Sequence, residues 1–345
     1  MNALIVFGLL LALMLTGMPI SISLGLTVLT FLFTMTQVPI ESVALKLFTG
    51  IEKFEIMAIP FFILAGNFLT HGGVAKRMIR FATAMVGHWH GGLGLAGVLA
   101  CALFAAISGS SPATVVAIGS ILLPAMVKAG FPTRFGAGII TTSGALGILI
   151  PPSIVMVMYA VATNTSVGAL FMAGVLPGLV LAFLLGFTTW WRARKFGYPR
   201  QPAATWKERF VALKDSFWGL FLIVVVMGGI YTGLFTPTEA AAMAAVYAFV
   251  VAIFVYQDMP LSRVPKVLLD SANMSAMLLY IITNAVLFSF IMTNENIPQA
   301  LADWMLGHGL GVIAFLLAVN VLLLLAGNFM EPSSIVLIFA PILFP

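Results

Sequence analysis

The sequence predicts an all-α polytopic membrane protein, and its composition together with the length of its apolar runs carries that prediction. Of 345 residues, 61% are hydrophobic and only 8% are charged, against about 25% charged in soluble domains. No soluble core hides that much apolar surface, so lipid is the solvent. The runs 3–33, 167–191 and 217–235 reach or approach the roughly 20 apolar residues that span a bilayer. A shorter run, 312–326, stops at a polar break. A membrane barrel alternates apolar and polar residues over about 10 positions. These runs are apolar on every side, so helices are the spanning elements.

Lys and Arg mark the cytoplasmic side of such a protein. Their densest cluster is Arg192, Arg194, Lys195, Arg200, Lys207, Arg209 and Lys214, which places 192–215 inside. The runs 167–191 and 135–163 are then spans, and Lys76, Arg77, Arg80, Lys128 and Arg134 return to the inside. The segment 91–127 has both ends inside and a polar centre, Ser108, Gly109, Ser110, Ser111 and Pro112. It is expected to be a re-entrant hairpin. Beyond the basic loop, 216–235 and 237–257 read as spans, 258–272 as an interfacial segment and 273–293 as a span. The stretch 294–308 holds Glu295 and Asp303 but no Lys or Arg, as an external segment should. The run 309–345 starts outside and meets a second polar break. The segment 3–33 is either one tilted helix or two short ones broken at 17–19. The stretches 39–55, 74–86 and 297–306 are moderately polar and read as interfacial helices or arms.

Smaller features fit this picture. Met1-Asn2-Ala3 lacks the charged region and cleavage site of a signal peptide, so the first helix is expected to stay. The single cysteine, Cys101, lies in an apolar run and reads as a small core residue. The net charge of +5 reflects the cytoplasmic loops rather than nucleic-acid binding. Trp190-Trp191 reads as an aromatic anchor at the interface.

The two halves match in order at a near-constant shift. Thr16-Gly17 recurs as Thr232-Gly233, Pro39 as Pro260, Leu69-Thr70 as Met292-Thr293, Gly92-Leu93-Gly94 as Gly309-Leu310-Gly311, and Pro112 as Pro332. The first hairpin enters from inside and the second from outside. The expected organisation is therefore a first inverted repeat with the basic loop, 1–215 (hairpin 91–127, broken helix 135–163), and an incomplete second repeat, 216–345 (hairpin 309–345). Inverted repeats with broken helices are a signature of secondary transporters, and their two tips are expected to approach a central site.

Three segments could carry the chemistry. At the first tip, Ser111 is expected to be the N-cap and Pro112 the first residue of the returning half-helix. A buried helix N-terminus suits an anionic group. Carbonyls and the hydroxyls of Ser108, Ser110, Ser111 and Thr114 suit a small cation. The second segment runs from Ser143, Gly144 and Gly147 to Pro151, Pro152 and Ser153. Glycines and two prolines predict unwinding between 144 and 152, which frees carbonyl oxygens. The third is the second tip, with Gly327, Asn328, Glu331, Ser333 and Ser334. An intramembrane acid such as Glu331 marks function by default. By contrast, Thr236-Pro237-Thr238-Glu239 reads as a structural capping box. An intramembrane enzyme is disfavoured: there is no His-Glu-x-x-His, and all four histidines fall near predicted span ends. An ABC permease lacks paired hairpins, and 192–215 shows no docking motif.

Taken with Thr16-Gly17-Met18-Pro19-Ile20, Ile59-Pro60-Phe61-Phe62 and Pro124, these segments resemble the large membrane (M) subunit of the tripartite ATP-independent periplasmic (TRAP) transporters over essentially the whole chain. The resemblance implies an elevator-type fold like that of the ion-transporter superfamily. It implies symport of an organic anion with sodium: a C4-dicarboxylate, sugar acid or keto acid. It also implies two partners, a small membrane subunit and a periplasmic substrate-binding protein, in the bacterial inner membrane. No cofactor is expected beyond sodium as coupling ion. The ion is expected near Ser108, Gly109, Ser110, Ser111, Thr114, Ser143, Gly144, Gly147 and Pro151. Family members continue into a second broken helix, whereas this chain ends inside the second arm of the second hairpin, so it is expected to be truncated. The competing reading is a carboxylate carrier or antiporter of the same architecture that needs no binding protein.

Overall fold

A computed structural model describes residues 2–36, 38–296, 299–300, 311–328 and 330–343. Among these, every regular element is helical. Among the described residues six helices are long and apolar enough to cross a membrane, and a helix pair bent by 43° at a short break brings the number to seven if it is one span. The protein is a multi-pass α-helical membrane protein. Its chain forms two compact units, Met1–Ile56 with Met158–Thr165 and Ser275–Pro345, and Met57–Val157 with Ser166–Met274.

The first unit begins with α1 (Asn2–Leu15) and α2 (Ile20–Met35). Segment 3–33 is thus two helices. Gly17, at φ +84, and Pro19 break the ladder between them. On α2, Gly25 faces Asn284 of α14 (Val264–Asn294), where an added Cβ would lie 2.6 Å from the amide oxygen. Phe7 of α1 packs edge-on against Phe288 and stacks on Phe339, in α16 (Pro332–Leu343). The short α3 (Ile40–Thr49) lies over α14, with Lys46 above the Phe290 ring and Gly50 against Val286. Lys53 donates to the Val161 carbonyl at 2.7 Å and to the Asn164 side chain, closing the end of α10 (Ile154–Thr163). Burial holds its ammonium below the usual lysine range.

The second unit holds α4 (Ala58–His71), α5 (Val74–Val86), α6 (Gly92–Ser108), α7 (Ser111–Lys128), α8 (Thr133–Gly144), the single turn α9 (Leu146–Leu149), α11 (Val167–Phe196), α12 (Trp206–Tyr231) and α13 (Pro237–Val250). Buried alanines 240, 241, 244, 245 and 248 make one side of α13 small enough for α4 to approach closely. Phe68 then meets Phe249 at 5.4 Å. Arg80 pairs with Asp215 at 2.7 Å, joining α5 to α12. Arg77 pairs with Asp258 and stacks over Tyr256, whose hydroxyl donates to the Asp215 carbonyl.

The capping box at Thr236 and Glu239 forms as read, and Thr205 with Glu208 builds a second at the start of α12. The structure corrects two boundaries. Segments 258–272 and 273–293 are not separate elements. From Val264 they form one 31-residue helix, because no glycine or proline interrupts it after Pro265. The basic loop is also shorter than 192–215, since α11 runs to Phe196 and α12 starts at Trp206. Arg and Lys stems continue a helix past the apolar layer while their heads reach water. The stretch 301–310 and residues 297 and 298 lie outside the described residues.

Candidate functional site

The hairpin formed by α6 and α7 turns at Gly109 and Ser110. Gly109 ends α6 at φ +59, a left-handed conformation that only glycine adopts without strain. The N-cap of α7 is Ser110, at φ −133 and ψ 125, rather than Ser111, and no side chain caps it. Pro112 is therefore the second residue of the helix. The Ser110 carbonyl closes the first turn, accepting from the Thr114 N–H at 3.1 Å and the Thr114 hydroxyl at 2.8 Å. The Ser108 and Thr114 hydroxyls lie 2.9 Å apart, both buried. The Ser111 and Ala113 N–H groups precede the helical ladder and have no acceptor within it.

The break between α9 and α10 comes up against this tip. The Ile154 N–H donates to the Gly109 carbonyl at 3.1 Å. A Cβ on Gly109 would stand 2.8 Å from the Pro152 carbonyl oxygen. A Cβ on Gly147 would stand 2.8 Å from the Ser110 carbonyl carbon, and one on Gly144 would strike Val115. At Gly109 and Gly147 the two segments thus touch backbone to backbone, because a glycine stands on one side of each contact. Unwinding is narrower than 144–152, since Leu146–Leu149 keeps one helical turn and the extended break begins at Ile150. Pro151, Pro152 and Ser153 are buried there, and the Ser153 hydroxyl accepts from the Met156 N–H at 3.4 Å.

Ser143 is fully buried and its hydroxyl has no partner, as is also true of Ser23, Thr27 and Ser334. A buried hydroxyl without a partner costs about 1–3 kcal/mol. The hydroxyl and carbonyl oxygens of Ser108, Ser110 and Thr114 stand together here, a set that suits a hard cation. Among the described residues no group of three His, Cys, Asp or Glu could hold a metal. A groove of about 350 Å³ runs beside the tip between α7 and α8, lined by Val115, Gly119, Ser120 and Thr141 among others.

The second tip lies between α15 (Val312–Ala326) and α16, in the first unit, while the first tip lies in the second unit. Glu331 is exposed and accepts from the Ser333 hydroxyl at 3.2 Å, while its carbonyl accepts from the Ser334 and Ile335 N–H groups. It starts α16. Ser334 is buried, and its hydroxyl has no partner. Asn328 donates to the Leu324 carbonyl at 2.8 Å, and Gly327 ends α15. Sequence reasoning missed Gly66 on α4, where a Cβ would lie 3.2 Å from Ser108 Cα. Its signal was a glycine inside the bulky run Phe61-Phe62-Ile63-Leu64-Ala65-Gly66-Asn67-Phe68.

The family model of the tripartite ATP-independent periplasmic transporter DctM component matches residues 7–345. The chain belongs to this family. Relatives agree with the match. The chain is 76% identical to the C4-dicarboxylate TRAP transporter large permease protein DctM of Rhodobacter capsulatus, covering all of this chain and 82% of that protein. It is 55% identical to the protein of the same description from Pseudomonas aeruginosa, over 94% of this chain and 76% of the relative. It is 36% identical to the sialic acid TRAP transporter large permease SiaM of Vibrio cholerae, over 97% of this chain and 78% of the relative. DctM-family proteins are transport permeases, not enzymes. The broken helices and glycine-lined contacts described above are therefore parts of a permease.

Proposed function

We propose that this permease subunit imports a C4-dicarboxylate by symport with sodium across the bacterial inner membrane, taking its substrate from a periplasmic binding protein and working with a small membrane subunit. The observation that carries the substrate class is graded similarity. Relatives described as C4-dicarboxylate permeases reach 76% and 55% identity, whereas one described for isethionate reaches 42% and one for sialic acid 36%. The small subunit follows from the family's tripartite description. The isethionate relative is described as DctMQ, and this chain spans 54% of it.

The ion reading rests on the first tip. Ser108, Ser110, Ser111, Thr114, Ser143, Gly144 and Gly147 supply hydroxyl or carbonyl oxygens, and the unpartnered Ser143 hydroxyl oxygen can ligate a small cation. The N–H groups opening α7 suit a carboxylate. Gly109, Pro112, Pro151, Pro152 and Ser153 shape the backbone around that point. At the second tip, Gly327, Asn328, Glu331, Ser333 and Ser334 are the corresponding candidates.

Labelled succinate uptake by the reconstituted transporter tests the substrate class. Competition by fumarate and malate, with none by sialic acid or isethionate, is the expected pattern. Inhibition by sialic acid equal to that by fumarate would overturn it.

A further inference from the structure

One end of the second unit gathers cations that no acid answers. Lys128 ends α7, Arg134 opens α8, and Arg192, Arg194 and Lys195 end α11. Among the described residues the two salt bridges are Arg77 with Asp258 and Arg80 with Asp215, so none of these five has an acidic partner. The single acid between Arg192 and Lys214 is Glu208, and its carboxylate is held by Thr205 in the capping box.

Aromatic rings lie beside three of these cations. Arg192 lies 5.8 Å from both the Phe135 and the Phe196 rings, Arg194 is 5.6 Å over Trp190, and Lys195 is 5.7 Å over Trp191. Phe131 and Phe135 each pack against Tyr198, tying α8 to the chain that leaves α11. Tryptophan and tyrosine settle at the headgroup level of a bilayer. Below the cations, α11 offers an apolar track at helical spacing: Leu176 (72% exposed), Leu179, Phe183 (71%), Phe187 and Trp191 (53%). An acyl chain fits the track, and a phosphodiester fits the guanidinium groups above it.

We propose that this end of α11, with the α7–α8 connection, is a binding site for an anionic phospholipid of the cytoplasmic leaflet. A zwitterionic lipid carries its own ammonium and leaves the surplus positive charge unanswered. An anionic headgroup neutralises it. The proposal does not rest on the substrate or coupling ion.

The test uses the assembled membrane complex, purified in detergent, with retained lipids counted by native mass spectrometry after incubation with phosphatidylglycerol or phosphatidylethanolamine. The unmodified protein should retain phosphatidylglycerol in preference. R192Q/R194Q/K195Q should lose at least about tenfold of it, and R263Q/K266Q should keep it. The triple variant retains Arg200, Lys207, Arg209 and Lys214, so the inside bias persists. Equal retention of both lipids by the unmodified protein, or unchanged retention by the triple variant, would overturn the proposal. A second measurement needs no charge variant. Brominated phosphatidylglycerol in nanodiscs should quench tryptophan fluorescence more than brominated phosphatidylethanolamine, and W191F should remove most of that difference. Equal quenching by the two lipids would overturn the proposal, and would be the result if the small membrane subunit covered the track.

Discussion

At the residue scale, the tip of the first hairpin depends on hydroxyls and on missing side chains. Ser108 and Thr114 share one hydrogen bond, and Thr114 also donates to the Ser110 carbonyl. Replacing Thr114 with Val removes that donor and leaves the Ser108 hydroxyl only its long contacts to the Ser110 carbonyl (3.4 Å) and N–H (3.5 Å), a cost of about 0.5–1.5 kcal/mol. Sodium-dependent uptake by Thr114→Val should fall at least about tenfold while membrane insertion is unchanged, which uptake and immunoblotting of membranes would read. Unaltered sodium dependence would remove Thr114 from the ion site. Gly147 makes a complementary point, because a Cβ there would stand 2.8 Å from the Ser110 carbonyl carbon. Backbone cannot yield as a side chain does, so Gly147→Ala should lose about 1–3 kcal/mol. Thermal unfolding in detergent would show a lower midpoint together with reduced transport.

At the element scale, the spans are set by apolar length, and their interruptions by glycine and proline. Gly109 has to stay left-handed and lies against the Pro152 carbonyl, so Gly109→Ala should cost at least about 1–2 kcal/mol. Its readout is the unfolding midpoint of the purified protein. Lys53 holds the Val161 carbonyl and Asn164 at the end of α10. Lys53→Met should free that end and raise hydrogen exchange at 163–165, with little change in the hairpin. Its lowered pKa has a definite sign. Below both the folded and unfolded pKa values the buried ammonium costs stability. That cost is relieved as pH rises through the folded value towards the ordinary lysine range.

Much of this level was legible in the sequence. Pro19, Pro112, Pro151 and Pro152 mark breaks because they lack an N–H, and Thr236 with Glu239 announces a capping box by spacing alone. The true N-cap, Ser110, was missed by one position, since three serines around Gly109 offer equivalent local chemistry. Only the left-handed turn decides between them. The continuity of α14 was hidden because Lys266 and Asp270 look like a surface segment, although both are exposed residues in the first two turns of the helix. The approach of Gly66 and Gly147 to the tip depends on tertiary packing, which no local pattern reports.

At the scale of the whole molecule, two compact units each carry one tip of the paired breaks. The chain passes between the units four times, at Ile56–Met57, at Val157–Met158 inside α10, at Thr165–Ser166 and at Met274–Ser275 inside α14. The central claim is that this family member couples an organic anion to sodium and takes it from a binding protein. Its most direct test reconstitutes the complete transporter with its small subunit in proteoliposomes and follows labelled C4-dicarboxylate uptake. Uptake should require both an inward sodium gradient and the binding protein, and should vanish when either is withheld. Uptake that proceeds at full rate without the binding protein, or with sodium equal on both sides, would contradict the account.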